Sequence, residues 1–315
     1  MKLPQAVEAY LDLKHSLGMR METEGLVLKA FCRAIGNLEL DYVRPAAVLE
    51  FISGTGPTTR NRKQKTSVLR SFYRFALARE LTKMVPLPAT EPQYPPLRSP
   101  YLYSTAEIER LLVATDILQS PRAPLRATGF RTLLLLLYST GMRISEALAL
   151  TLDDIDLAAR VITIHDTKFH KTRLVPIGPR LTHALSEYVR CRVRDLPMPS
   201  RTASAFLART SGTHWDAGWT EALFCRVRNQ ANVTREGNTL AQPHLHDLRH
   251  TRVQHQILTW YRTGRDVQHL LPKLATYLGH VDVHSLQHYL AITPELLREA
   301  NARFERYASL ENSHA

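Results

Sequence analysis

The sequence predicts a mainly α-helical protein in two domains: an N-terminal helical bundle, then an α+β domain holding one small antiparallel sheet. Three observations carry this. Apolar residues recur at helical spacing through most of the 315 residues, two short β-branched runs stand close together in the second half, and six prolines crowd Pro86 to Pro100.

The first domain is expected over residues 1–85. Its helical stretches stop at Gly18, Gly36 and Gly54, since glycine enters the left-handed turn after a helix without a Cβ penalty. Tyr10, Leu11 and Leu17, then Leu28, Phe31 and Ile35, then Val48, Phe51 and Ile52 should face one small core. The fourth stretch, TTRNRKQKTSVLRSFYRFALARE, starts at a threonine cap and turns Val68, Leu69, Phe72 and Tyr73 inward. Its early basic residues Arg60, Arg62, Lys63 and Lys65 are left outside, which makes a helix with a cationic end. Proline lacks an N–H and fixes φ, so residues 86–103 read as an extended connector.

The second domain is expected over 104–308, ahead of a short tail at 309–315. Ser104-Thr-Ala-Glu107 is a capping box for the helix AEIERLLVAT. VITI (161–164) and RLVPI (173–177) read as a hairpin, and the remainder reads as helices. A last helix over 294–308 starts at Thr293-Pro294 and carries Leu297, Ala300, Phe304 and Tyr307 as an apolar stripe. That stripe needs cover, from its own chain or from a neighbouring subunit.

Lysine and arginine number 41 against 29 acidic residues, a formal charge of +12, and such a surface attracts polyanions, nucleic acid first. Cys32, Cys191 and Cys225 fit neither a disulfide framework nor a zinc-ribbon spacing, which points to a reducing compartment. The start, MKLPQAVEAYL, lacks the apolar core of a signal peptide, and the run TLLLLLY (132–138) is too short to span a bilayer. The expectation is a cytoplasmic, nucleoid-associated protein without membrane contact.

Three separated blocks carry the chemistry: YSTGMRISEALAL around Arg143, PHLHDLRH around His246 and Arg249, and YLGHVDVHSLQHYL with His280 and Tyr289. Attack of an oxygen nucleophile on a phosphodiester passes through a phosphorane with extra negative charge, so fixed positive donors are required. Arg143 and Arg249 suit that need, because a guanidinium stays protonated and matches two phosphate oxygens at once. His246 stands three residues before Arg249, on the same helix face, and can share that phosphate. The Tyr289 phenol is a weak nucleophile near neutral pH unless a neighbour takes its proton, and His246 is the candidate acceptor.

In combination and order, these blocks resemble the tyrosine recombinase, or phage integrase, family: an arginine in TGxRxSE, a His-x-x-Arg pair, and Gly-His followed nine residues later by tyrosine. The resemblance runs firmly from about Ser104 to Tyr289, and TSVLRSFYRFA is similar to the last helix of the family's core-binding, SAM-like domain. TKFHKTRLVPIG matches the family's lysine-bearing hairpin, with Lys168 in the catalytic place. Lys168 suits protonation of the departing 5′ oxygen, and Lys171 on the same hairpin competes for that role.

The resemblance implies that His280 adds a hydrogen bond to a phosphate oxygen. It implies a 3′-phosphotyrosine and a free 5′ hydroxyl as products, with neither a cofactor nor a catalytic metal. It also implies double-stranded DNA at specific sites as partner, and a tetramer working through a four-way junction. The two domains would form a C-shaped clamp on the duplex, with Lys171 and Arg173 joining the cationic residues of the fourth helix as DNA contacts. ATYLGHVDVHSLQHYLAITPELL looks closest to recombinases of transposons and other mobile elements, some of which act with accessory recombinases or helper proteins.

Two other classes remain. One is a DNA-binding protein of the same fold without catalysis. The other is a zinc hydrolase reading HDLRH as a variant of HExxH, with His246 and His250 as ligands and Asp247 as base. The hydrolase would set Arg249 beside a dication and leave Arg143 and Tyr289 without a role. A type IB topoisomerase shares the chemistry, but the short first domain and connector look more like an integrase.

Overall fold

The computed structural model describes residues 1–54, 60–87, 100–167, 171–196, 204–237, 242–279, 298–299 and 301. Contacts divide the chain into two units, Met1–Leu97 and Arg98–Ala315, and the break falls within the proline-rich stretch.

The first unit is built from α1 (Leu3–Ser16), α2 (Glu22–Ile35), α3 (Pro45–Ser53) and α4 (Arg60–Ala78). Leu3, Val7, Tyr10, Leu28, Phe31, Val48, Ile52, Leu69, Phe72 and Tyr73 fuse into one core, where Tyr10 and Phe72 meet edge to face at 5.8 Å. Gly18, Gly36 and Gly54 all have positive φ, as expected of residues that end helices. Leu17 departs from expectation: it follows the last turn of α1 and stands 62% exposed. The threonine cap expected before α4 lies outside the described residues. Beyond α4, the Thr82 hydroxyl donates to Asp41 at 2.8 Å and Pro86 is buried, so the chain stays on the bundle past residue 85.

The second unit contains α5 (Thr105–Ala114), α6 (Arg126–Thr140), α7 (Ile144–Ala149), β1 (Ile155–Asp156), β2 (Val161–Thr167), β3 (Lys171–Pro176), α8 (Pro179–Asp195), α9 (Ala217–Gln230), α10 (Asp247–Arg262) and α11 (Val267–Leu278). The capping box opens α5 as read: Ser104 Oγ accepts from the Glu107 N–H at 3.2 Å, and Glu107 accepts from the Ser104 N–H at 2.8 Å. Tyr103, placed in the connector by sequence, is buried in this unit's core, and its hydroxyl donates to the His244 carbonyl at 2.9 Å.

The leucine-rich helix α6 is the central post. Phe130, Leu133, Leu134, Leu136 and Leu137 are each at most 2% exposed, and each such burial contributes roughly 2 kcal/mol. The sheet is antiparallel in the order β1-β2-β3, with Ile162 opposite Val175 and Ile164 opposite Arg173. Ile155, Ile162, Ile164 and Val175 turn into the core, while Leu174 faces solvent at 64%. At the other end of the chain, Arg262 on α10 donates through Nε to Glu299 at 2.9 Å, so this part of the expected last helix contacts its own chain. No helix among the described residues is long and apolar enough to cross a membrane.

Candidate active site

The site forms where the C-terminal ends of α6 and α11 meet the N-terminal ends of α7 and α10. Two glycines permit that convergence. Gly141 ends α6 at φ +65, and a Cβ there would stand 2.9 Å from a Leu278 methyl; Gly279 ends α11 at φ +72. The chain therefore turns sharply after each helix, and both turns expose carbonyls with no helical partner.

Arg249, in the first turn of α10, fills that gap. Its Nη1 donates to the Gly141 carbonyl at 2.6 Å and its Nη2 to the Leu278 carbonyl at 2.9 Å. The side chain is 1% exposed. A guanidinium between two helix C-termini sits in a favourable field, because the terminal carbonyls carry partial negative charge.

Arg143 is the residue immediately before α7. Its backbone N–H and its Nη1 both donate to the Glu146 carboxylate at 2.8 Å, a local clasp closed over three residues. Its Nη2 lies 3.5 Å from the Gly279 carbonyl. The side chain keeps 28% of its surface open, against 8% for Glu146. Burial alone would raise the Glu146 pKa, but hydrogen bonds from Arg173 and the Arg143 backbone, with the Arg173 charge and the Arg143 side chain, hold it down at about 2.

His246 stands immediately before α10 and opens to solvent on one side. Burial of its packed side, then Arg249, lower its pKa below the usual histidine range; Asp247 opposes this and Arg143 adds to it. The imidazole is accordingly neutral near pH 7 and able to accept a proton. Residues more than a hundred positions apart in sequence, Arg143 on one side and His246 with Arg249 on the other, thus share one electrostatic environment.

Lys168, His280 and Tyr289 lie outside the described residues, as does the Lys171 side chain. Arg173 and Lys65, both expected as DNA contacts, have protein partners. Arg173 points inward and grips Glu146 with both Nη atoms, at 3.0 and 2.7 Å. Lys65 donates to the Phe51 carbonyl at 2.7 Å and sits over the Phe51 ring, 4.3 Å from its centroid. Lys63 is exposed on α4 and Arg62 is half-buried, while the Arg60 side chain lies outside the described residues.

Sequence reasoning gave no role to Glu146, although it belongs to the quoted TGxRxSE block. Its signal was the R-x-x-E spacing at a helix start. For Arg173 the signal was strand alternation, which puts it on the same face as buried Val175.

As to the hydrolase reading, Asp247 accepts from the His244 N–H at 2.8 Å and is 6% exposed. The His246 and His250 rings meet edge to face at 5.2 Å. Among the described residues no group of three or more His, Cys, Asp or Glu side chains is arranged to hold a metal ion.

Residues 103–295 match the Phage integrase family. The putative integrase/recombinase y4rE of Sinorhizobium fredii is 34% identical over 304 residues, 96% of this chain and 95% of its own length. Tyrosine recombinase XerD of Mycobacterium tuberculosis is 36% identical over 233 residues, 73% of this chain and 69% of its own. Among solved structures, a lambda integrase dimer bound to a COC' core site shares the fold with a TM-score of 0.66 at 18% identity, covering 92% of this chain and 95% of that one. The Tn1549 transposon integrase in complex with a circular intermediate DNA has a TM-score of 0.66 at 18% identity, over 96% and 99% of the two chains. With the family matched over most of the second unit and relatives aligned along nearly the whole chain, this protein belongs to the phage integrase family of tyrosine recombinases.

Proposed function

We propose that the protein cuts and rejoins double-stranded DNA at specific sites through a 3′-phosphotyrosine on Tyr289. One observation carries the reading: Arg143, His246 and Arg249, distant in sequence, are gathered around two helix ends in a form suited to a dianionic transition state. The Tyr289 oxygen attacks phosphorus, its proton passes to neutral His246, and the 5′ oxygen leaves with a proton from Lys168. Arg143 and Arg249 supply fixed positive charge, and His280 adds a hydrogen bond to a phosphate oxygen. The phosphodiester's energy is kept in the tyrosine linkage, and attack by another strand's 5′ hydroxyl reverses the step.

The working assembly is a tetramer on two sites, with both units contacting the duplex and α4 among the contacts. The biological setting is the integration, excision or transposition of a mobile element, inside the cell and on the nucleoid, with accessory recombinases where the element supplies them. The relatives named integrases and the DNA-bound structural neighbours support this reading.

The test is a nicked suicide duplex drawn from the gene's own surroundings, followed by denaturation and mapping of any protein-linked strand end. A covalent adduct at a 3′ phosphate, lost in Tyr289→Phe while DNA binding persists, is expected. A wild-type protein that binds the duplex and never becomes attached would instead mark a catalytically silent DNA-binding protein.

A further inference from the structure

Arg173 is expected from sequence to be a DNA contact, and its side chain is turned toward protein partners. Its neighbours across the sheet and along the strand, Ile164 and Val175, are both buried, so strand alternation drives its side chain inward. There it meets Glu146 in a two-point grip, 3.0 Å from Nη1 and 2.7 Å from Nη2. The same carboxylate accepts from Arg143 Nη1 at 2.8 Å. One buried anion thus holds two guanidinium groups, and only Arg143 keeps substantial exposure, 28% against 12% for Arg173.

The guanidinium of Arg173 also lies flat against the turn after α11. A Cβ on Gly279 would stand 2.6 Å from Nη1, 2.9 Å from Cζ and 3.3 Å from Nε. The Nε itself is buried with no hydrogen-bond partner among the described residues, shut in by that contact. Arg173 therefore touches three parts of the site at once: the strand leading from the Lys168 hairpin, the carboxylate that aims Arg143, and the glycine preceding His280.

We infer that Arg173 is a positioning residue, which fixes Arg143 through the shared Glu146 carboxylate and sets the Gly279 turn, without touching DNA itself. This rests on the proposed role of Arg143 in cleavage. A carboxylate gripped from one side by a bidentate fork has a single orientation left to offer the other arginine, whereas a lysine would make a point contact and let it swing. Gly279 is required for two reasons: its positive φ, and the plane of Arg173 where a side chain would go.

The experiment compares wild type, Arg173→Gln and Arg173→Lys on a nicked suicide duplex carrying the site mapped for the wild-type protein. At saturating protein, Arg173→Gln should slow covalent attachment by about 100-fold, the scale of a misaimed transition-state donor. Arg173→Lys should recover little of that loss, because the charge returns without the fork. In mobility shifts on the intact duplex, the salt dependence should stay that of wild type, since a lost phosphate contact would lower the slope of log K against log salt by about one. Wild-type cleavage combined with a slope lowered by one would overturn the inference and make Arg173 a DNA contact.

A double-mutant cycle keeps the contact testable without activity. Gly279→Ala should lower the melting temperature more in the wild-type background than in Arg173→Gln, because the backbone strain is common to both and the collision is not. Strictly additive shifts would refute the Arg173–Gly279 contact. If wild-type protein forms no adduct, the recombinase reading fails while the cycle still reports on that contact. If wild type cleaves and Arg173→Gln cleaves equally well, the inference alone fails.

Discussion

The molecule places its cations in two contrasting ways. In the second unit Arg143, Arg173 and Arg249 are turned inward and held by named oxygens: a carboxylate shared by two of them, and the end carbonyls of two helices for the third. On α4 of the first unit the basic residues follow a helix whose other face fills the core: Lys63 is exposed, while Lys65 is drawn to the Phe51 carbonyl and ring. A cation fixed by protein oxygens has already met the entropic cost of ordering and can act on a developing charge without reorganising. A cation on an exposed helix adds attraction that salt screens and that tolerates small displacements. The first kind should control the chemical step, and the second the approach of DNA.

The sharpest way to break this contrast is Arg249→Lys. A lysine cannot serve Gly141 and Leu278 together, so one carbonyl at a buried helix end loses its partner, at a cost of about 2 kcal/mol of stability. Covalent attachment should fall by about 1,000-fold, the upper range for one preorganised transition-state donor. Thermal melting and single-turnover attachment read the two effects separately. Near-wild-type cleavage would mean that the buried guanidinium serves the fold alone.

Acid provides a second, gentler probe. Glu146 has a folded pKa of about 2, below its ordinary value of 4.5, so the stability it contributes is fully present above 4.5 and is lost as pH falls toward 2. His246 is also depressed, from 6.5, so the unfolded chain takes up its proton first and stability declines as pH drops through that value. Melting followed from pH 8 to 3 should therefore fall in two stages. His246→Asn should remove the upper stage and Glu146→Gln the lower one. Attachment should hold steady from pH 8 to 7 and decline below, as the proton acceptor fills. An acid limb unchanged in His246→Asn would assign that titration to another group.

What sequence could and could not reveal follows from the same division. The capping box at Ser104, the hairpin and the glycine stops are local rules, set within a few residues, and each is found where periodicity and cap chemistry put it. Leu17 went wrong because helical spacing continues past a helix that has already ended. The motif blocks named Arg143, His246 and Arg249 without saying what holds them. Glu146 gripping Arg173 across 27 residues, and Arg249 bridging helix ends 108 and 29 residues away, are tertiary facts with no local signature. Charge alone does not reveal that Arg173 and Lys65 have protein partners, for a basic residue on a strand or helix is placed by its face before its sign matters.

The smallest effects separate two neighbours on α4. Lys63 is exposed, and Lys63→Ala should weaken DNA binding a few-fold and lower the salt slope by about one if it meets a phosphate. Lys65 lies one half-turn on, with its ammonium donating to the Phe51 carbonyl at 2.7 Å and seated over the Phe51 ring. Losing that ring contact and hydrogen bond should cost the first unit about 1 kcal/mol, because the carbonyl is left to water and the lysine stem no longer packs. Lys65→Ala should therefore lower the melting temperature slightly and leave the salt slope untouched, the opposite pattern from Lys63→Ala. Should Lys65→Ala instead lower the slope by a full phosphate contact with no change in melting, its bond to Phe51 would yield to DNA on binding. The line between structural and attracting cations would then run along a different side of α4.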